Sequence, residues 1–362
     1  MENNISHVDK NFNVEVSVRK DGLNFYNIKS NPFKIYGLHT PKEIGAAKFK
    51  RMPEDVAKKV NDGVATLYTN TSGGRVRFST DSDTIVLKAE ISNITRVPHL
   101  SLTGACSFDI YEDFPELQNS RYVATFIPPY NVSDSFEYKI KLDSCKKRYF
   151  TIHFPLYCDV CSVFIGLKDT ATLDKGMEYK KLLPIVYYGN SVTQGGCASR
   201  PGNSYPNIIG RRLNVDFINL GFSGSGKAEE TMVDYLASLD MSVFVCDYDH
   251  NAPNPDYLKA THCNLYEKIR AAHPQLPIII MSKCDFVYGE ENSVRRRDII
   301  YETFRYAKSQ GDKNVYFMDG ASIYSGDYAN IAVIDRVHPS DIGFSLIADT
   351  LEEIILRAIN NQ

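Results

Sequence analysis

The sequence predicts an α/β fold: a parallel sheet with helices on both faces, preceded by a β-sandwich or jelly-roll domain. Three observations predict it. The chain has 362 residues, more than one ordinary domain of about 100–200 residues holds, so two are expected. Between 64 and 168, short strand-like runs follow one another with no helical pattern between them. From 183 onward, strand-like and helix-like segments alternate, the pattern of a parallel sheet. The expected division is an N-terminal β-rich domain over 1–178 and an α/β domain over 179–362.

Residues 1–63 read as an extended lead-in with one short helix near 53–59. The runs VATLYTN, RVRFST, TIVLKAEI, SFDIYE, YVATFI, FEYKIKL, YFTIHFPLY and SVFIGLK then follow. They are rich in β-branched and aromatic residues and are broken by clusters such as Thr71-Ser72-Gly73-Gly74 and Asp81-Ser82-Asp83, the composition of strands and turns. Arg75-Val76-Arg77-Phe78 alternates polar and apolar residues, as a sheet with one buried face requires. In the second half, strands are expected at 183–188, 216–220, 241–246, 277–281 and 314–318. Helices are expected at 204–213, 228–239, 255–272, 293–308 and 340–359. Ligands of such sheets bind at the carboxyl ends of the strands, so the residues that follow each strand carry the functional argument.

Composition narrows the classes. Lys+Arg 41 against Asp+Glu 44 gives a formal charge of −3, without the basic excess of a nucleic-acid binder; no nucleic-acid partner is expected. No apolar run reaches the roughly 18–20 residues of a membrane helix, so no membrane partner is expected either. The opening MENNISHVDKNFNVEV is polar and lacks the apolar core of a secretory signal; a cytoplasmic location is the expectation. Cys158 and Cys161 form a CxxC with no second CxxC and no suitable histidine pair. Half-buried strand thiols are therefore the better reading than zinc or redox chemistry. No metal-ligand cluster is visible, and no cofactor is expected.

After the first α/β strand comes Gly189-Asn190-Ser191-Val192-Thr193-Gln194-Gly195-Gly196. A serine where a strand turns into a helix exposes its hydroxyl and places its N–H near a helix start, which suits a nucleophile. By itself the segment equally fits a tight turn with a capping serine. It is neither a GxSxG elbow nor a phosphate loop. After the second strand comes Gly221-Phe222-Ser223-Gly224-Ser225-Gly226, whose glycines can present backbone N–H groups; its spacing is not GxGxxG. After the third comes Asp249-His250-Asn251-Ala252-Pro253, where Asn251 either donates its amide into a site or stops the strand in a turn. Asp249 and His250 are sequence neighbours and are expected to point apart. Before the last helix comes Asp335-Arg336-Val337-His338. A carboxylate three residues before a histidine can fold back onto Nδ1 and leave Nε2 to take a proton.

These four segments, in this order, resemble the SGNH (GDSL-like) hydrolase family over the whole second half. The resemblance implies a three-layer, flavodoxin-like parallel sheet. It implies Ser191 as nucleophile with Asp335 and His338 as its relay, and Ser191, Gly224 and Asn251 as the oxyanion hole. Two positions depart from the family pattern: Asn190 replaces the aspartate before the serine, and Ala252 the aspartate after the asparagine. The segment SFDIY, with Asp109, Ile110 and Tyr111, is similar to the Gly-x-Asp-Leu-Tyr motif of a two-domain subgroup, with Ser107 in the glycine place. That resemblance implies a serine esterase removing short acyl groups, acetyl above all, from a carbohydrate or related small ester. Its partner would be a small-molecule or oligosaccharide ester.

An acyltransferase using the same acyl-enzyme, and a carbohydrate-binding protein with an inert hydrolase half, are the competing readings. Arg200 is read first as shaping the start of a helix and second as a substrate contact. Asp109 and Tyr111 are read as β-domain structure, reaching a cleft only if the two domains pack there. Arg295-Arg296-Arg297 reads as a solvated helix face, and His262 and His273 as surface residues.

Overall fold

The structure, a computed structural model, describes residues 21–39, 48–180, 182–286 and 289–360. Of the expected lead-in, 1–20 and 40–47 lie outside the described residues.

The N-terminal part contains β1 (Leu23–Asn27), β2 (Lys34–Tyr36), α1 (Glu54–Val60), α2 (Asp62–Leu67), β3 (Arg75–Thr80), β4 (Thr84–Ser92) and α3 (Leu102–Cys106). It continues with β5 (Phe108–Phe114), β6 (Asn119–Phe126), β7 (Ser135–Lys141), β8 (Arg148–His153), β9 (Asp159–Lys168) and β10 (Leu173–Lys175). One antiparallel sheet runs β1-β9-β4-β7; the other runs β10-β3-β8-β5-β6, with β2 paired to β3. Alternate residues of β4 (Ile85, Leu87, Ala89, Ile91) share one buried cluster with Phe78, Phe108, Ile110, Phe150 and Ile152 of the second sheet. Period-two alternation thus closes two sheets over a single core.

Two local expectations fail here. VATLYTN was expected as a strand, but its first residues lie in α2, because the Asn61 side chain accepts the Val64 N–H at 2.8 Å and caps a helix. Ser101 likewise caps α3 through the Gly104 N–H at 3.0 Å, placing a short helix where only strands were expected.

The second half is β11 (Ile185–Gly189), α4 (Ser191–Gln194), α5 (Tyr205–Leu213), β12 (Phe217–Gly221), α6 (Glu230–Ala237) and β13 (Val243–Asp247). Then come α7 (Pro255–Ala272), β14 (Ile278–Met281), α8 (Glu290–Ser309), β15 (Val315–Met318) and α9 (Asp341–Asn360). All five strands are parallel, in the order β12-β11-β13-β14-β15. This is a flavodoxin-like order, and its switch point lies at the carboxyl end of β11. One face packs under α6, α7 and α8 through Met232, Leu236, Leu265, Ile269 and Ile300. The other packs under α5 and α9 through Ile208, Ile209, Leu351 and Ile355. Among the described residues, no helix is long and apolar enough to cross a membrane.

The same helices correct two surface expectations. His262 is 1% exposed, with Nδ1 2.8 Å from Thr303 Oγ1, and burial pushes its pKa down to about 4. Arg296 is also buried, donating to the carbonyls of Asp249 and Ala252. Three consecutive helical residues fan through about 200°, so one of three adjacent arginines must turn inward. Arg295 and Arg297 pair with Asp256 and Asp319.

The sandwich and the α/β layer are joined by buried polar contacts. Arg75 pairs with Asp216, donates to Phe217 O at 3.0 Å and stacks 3.8 Å over the Phe217 ring. Arg77 donates to Asn214 Oδ1 at 3.0 Å, and His153 Nδ1 lies 3.0 Å from Asn207 Oδ1. Met52, just before α1, Ala57 of α1 and Val64 of α2 lie in the same core as Met232 and Val233 of α6.

Candidate active site

The site begins where β11 ends. Asn190 caps α4: its Oδ1 accepts the Val192 N–H at 2.7 Å, and its Nδ2 donates to Asp247 O at 2.7 Å. An amide does here what a carboxylate would do as a cap, and it also ties β11 to β13. Ser191 is thereby the first residue of α4, 7% exposed. The helix stops after four residues at Gly195, whose φ of 107° is left-handed. The next residue, Gly196, leaves room for its neighbours. A Cβ there would lie 3.0 Å from both His338 Cδ2 and the Tyr157 hydroxyl.

His338 arrives from the other end of the chain. The Asp335–His338 turn closes on itself: Ile334 N–H donates to His338 O at 2.9 Å. Asp335 Oδ1 accepts the N–H groups of Val337 and His338 at 3.1 and 2.7 Å. Its Oδ2 lies 2.7 Å from His338 Nδ1, and His338 Nε2 lies 2.9 Å from Ser191 Oγ. With Nδ1–H given to the carboxylate, Nε2 holds the lone pair and accepts from the serine hydroxyl. Burial pushes the Asp335 carboxyl up, but the His338 N–H and imidazole and the Val337 N–H outweigh it and hold it below the usual range. The carboxylate therefore stays ionised and fixes the ring.

The N–H donors come from adjacent strand ends. Gly221 of β12 and Asp247 of β13 both pair with Gly189 of β11, so the three loops that follow emerge side by side. In the loop after β12, Gln194 Oε1 takes the Ser223 N–H at 3.0 Å, and Phe222 O takes those of Ser225 and Gly226. Gly224 sits at φ 66°, a left-handed conformation. Neither the Gly224 nor the Ser191 N–H has an acceptor among the described residues. Asn251 Nδ2 spends one hydrogen on Phe222 O at 2.9 Å, which leaves the second. Three donors without a second partner thus sit on the three loops that leave this strand edge, and backbone N–H and amide groups of this kind are what an oxyanion formed at a serine would need.

Behind the serine lies buried Asp247, with Oδ2 accepting from Thr193 Oγ1 at 3.0 Å. Burial and the nearby Asp249 charge push its pKa up to about 7. His250 Nε2 lies 2.9 Å from Asp285 Oδ1.

Arg200 does its visible work at the domain junction. Its guanidinium donates to Asp109 Oδ2 at 2.8 Å and to the Tyr111 hydroxyl, and lies 4.0 Å over the Tyr122 ring. The Gly202 N–H also donates to Asp109 Oδ2, at 2.8 Å. Asp109 and Tyr111 therefore hold the segment downstream of the serine turn, as β-domain structure packed on the α/β layer.

Three neighbours of the relay were invisible in the sequence. Tyr157, from the turn before β9, donates its hydroxyl to Ser191 O at 3.3 Å. His99, from the loop before α3, places Nε2 3.6 Å from Asp335 Oδ2, its ring 5.9 Å from that of His338. Cys197 follows Gly196; burial and the Asp335 charge push its thiol pKa up to about 12. Donor atoms of His99, Cys197 and His338 all lie within 4.8 Å of one another. The sequence offered no sign of this group, because its members come from three separate loops.

A flavodoxin-like sheet with Ser, Gly, Asn and His gathered at its carboxyl edge defines the class as SGNH-type hydrolases. Residues 182–356 match the GDSL-like Lipase/Acylhydrolase family, and residues 23–173 match the GxDLY domain, the N-terminus of SGNH-hydrolase-type esterases. The chain belongs to this family and is an ester hydrolase. No curated protein matches it significantly. Among solved structures, a protein described as a GDSL-like lipase from Bacteroides ovatus is 25% identical, with a TM-score of 0.82 over 93% of this chain and 98% of that one. The salicylyl-acyltransferase of a tetracycline biosynthetic pathway is 17% identical, with a TM-score of 0.75 over 94% and 99%. An acetyl xylan esterase from the rumen bacterium Butyrivibrio proteoclasticus is 12% identical, with a TM-score of 0.58 over 93% and 99%. The last two likenesses are likenesses of fold.

Proposed function

We propose that this protein is a serine esterase that removes short acyl groups, acetyl above all, from a carbohydrate ester. Ser191 Oγ adds to the ester carbonyl as His338 Nε2 takes its proton. Asp335 keeps the imidazole in the required tautomer and balances the imidazolium. The oxyanion is held by the N–H groups of Ser191 and Gly224 and the amide of Asn251. Collapse of the tetrahedral species expels the sugar alkoxide, which takes the proton from His338. Water, deprotonated by His338, then releases the acid and restores Ser191.

The observation that carries this reading is the relay itself, Ser191 Oγ to His338 Nε2 at 2.9 Å and Nδ1 to Asp335 at 2.7 Å. The acetyl group and the carbohydrate alcohol are supported by the fold shared with the acetyl xylan esterase. Activity on a panel of acetylated oligosaccharides, read as released acetate, tests the substrate. Ser191→Ala tests the nucleophile: it should abolish turnover of a chromogenic acetate ester and labelling by a fluorophosphonate, while Asn251→Ala retains about 10⁻² to 10⁻³ of the turnover. Parental hydrolysis by Ser191→Ala overturns the assignment. Acyl transfer to an added alcohol at the expense of free acetate would make the protein a transferase on the same residues.

A further inference from the structure

We propose that His99, Cys197 and His338 form a site for a thiophilic divalent cation, zinc in the first place, and that its occupation silences the enzyme. Inhibition rests on the esterase reading above; metal binding does not.

The donors are two imidazoles and a thiol, the set that suits zinc among the common divalent ions. They come from three segments the fold brings together: the loop before α3 in the sandwich, the turn after α4, and the loop before α9. All three donor atoms lie within 4.8 Å of one another. Bonds of about 2.1 Å to nitrogen and 2.3 Å to sulfur place tetrahedral donors roughly 3.5 Å apart. A contraction of about an ångström is therefore required, and the His99 side chain, 41% exposed, has room to supply it.

Two further features fit. Cys197 sits at φ 71°, a left-handed conformation that favours glycine, and carries a thiol there. Asp335 Oδ2, 2.7 Å from His338 Nδ1, is the carboxylate–imidazole arrangement that orients metal-bound histidines and leaves Nε2 as the ligand. Three protein donors leave a fourth position for water, and exposed His99 gives access from solvent. On binding, Cys197 Sγ releases its proton to solvent, and the His338 Nε2 lone pair goes to the metal. Ser191 Oγ then has no base.

The test uses the full-length chain, stripped with EDTA and kept under a phosphine reductant. Cobalt(II) added to Ser191→Ala should give a thiolate-to-metal charge-transfer band, and Cys197→Ser in that background should lose it. In the parent, zinc should inhibit acetate-ester hydrolysis reversibly, with EDTA restoring the rate. His99→Ala and Cys197→Ser should each raise the zinc concentration for half-inhibition by roughly tenfold or more, since even an outer-shell loss costs about 10–100-fold in affinity. The cobalt arm needs no activity, so it stands or falls apart from the esterase reading. No thiolate band in Ser191→Ala, or zinc sensitivity unchanged in both ligand variants, overturns the site.

Discussion

Asp335→Asn tests the relay without changing its shape. The amide oxygen can still accept the Val337 and His338 N–H groups that Oδ1 takes at 3.1 and 2.7 Å, so the turn keeps its form. At the other end, an NH₂ replaces the oxygen that lies 2.7 Å from His338 Nδ1. Donor would face donor there, and the imidazole escapes by moving its proton to Nε2. That nitrogen lies 2.9 Å from Ser191 Oγ and now offers a hydrogen where a lone pair was needed. A wrong-tautomer substitution of this kind costs ~10⁴ in kcat, about 5 kcal/mol of transition-state stabilisation. KM should move little, because no substrate contact is lost. Stability should move by less than about 1 kcal/mol: the Asp335 side chain is 31% exposed, and solvent screens its pairing. The depressed carboxyl pKa gives the sign. The stabilisation that Asp335 supplies is present above its unfolded pKa and fades as pH falls through the folded value, so parent and variant should converge in acid. The assay is steady-state hydrolysis of 4-nitrophenyl acetate, with urea denaturation as control. A folded Asp335→Asn within tenfold of parental kcat refutes the relay.

Gly196→Ala should lower kcat by about 10² with KM nearly unchanged, because its methyl must displace His338 or Tyr157, each 3.0 Å from the new Cβ. A parental rate would show that the imidazole has slack. Asp109→Ala takes the shared carboxylate away from Arg200 and the Gly202 N–H and should cost about 3 kcal/mol in urea denaturation; a loss below about 1 kcal/mol would deny the junction its role. Asp247→Asn probes the buried carboxyl whose pKa is near 7. A raised folded pKa means that the folded state holds the extra proton. Its favourable contribution is therefore present in acid and is lost as pH rises towards about 7, at up to about 1.4 kcal/mol per pH unit. Denaturation at pH 5, 6, 7 and 8 should show a shallower decline in the variant, and equal slopes would refute the assignment.

The parts of the site that were legible in the sequence are those the sheet itself brings together. Parallel strands in register end at one edge, so the loops that carry Ser191, Gly224 and Asn251 leave adjacent strand ends once β11, β12 and β13 are neighbours. The Asp335–His338 turn was legible because it is local. What the sequence hid crosses the domain junction or depends on which way a helix faces. VATLYTN has strand composition, yet Asn61 caps it into a helix whose Val64 joins the core beside α6. His262 and Arg296 are polar residues on inward helix faces, and only the packing of α7 and α8 reveals that.

The junction matters most for the chemistry. Arg51, 1% exposed, meets no carboxylate among the described residues; it donates to the carbonyls of Leu67, Asn219 and Gly221 and lies 4.5 Å over the Phe222 ring. Burial drives its pKa down to about 9, so holding this cation between carbonyls is costly. Two of those carbonyls, Asn219 and Gly221, belong to the end of β12 that leads into Gly224. With Tyr157 on the Ser191 carbonyl, Arg200 held by Asp109, and His99 at Asp335, the N-terminal sheets fix the backbone on both sides of the nucleophile. On the proposed mechanism the sandwich is therefore part of the scaffold that keeps the oxyanion donors aimed, and damage to its side of the junction should appear as lost turnover before it appears as lost fold.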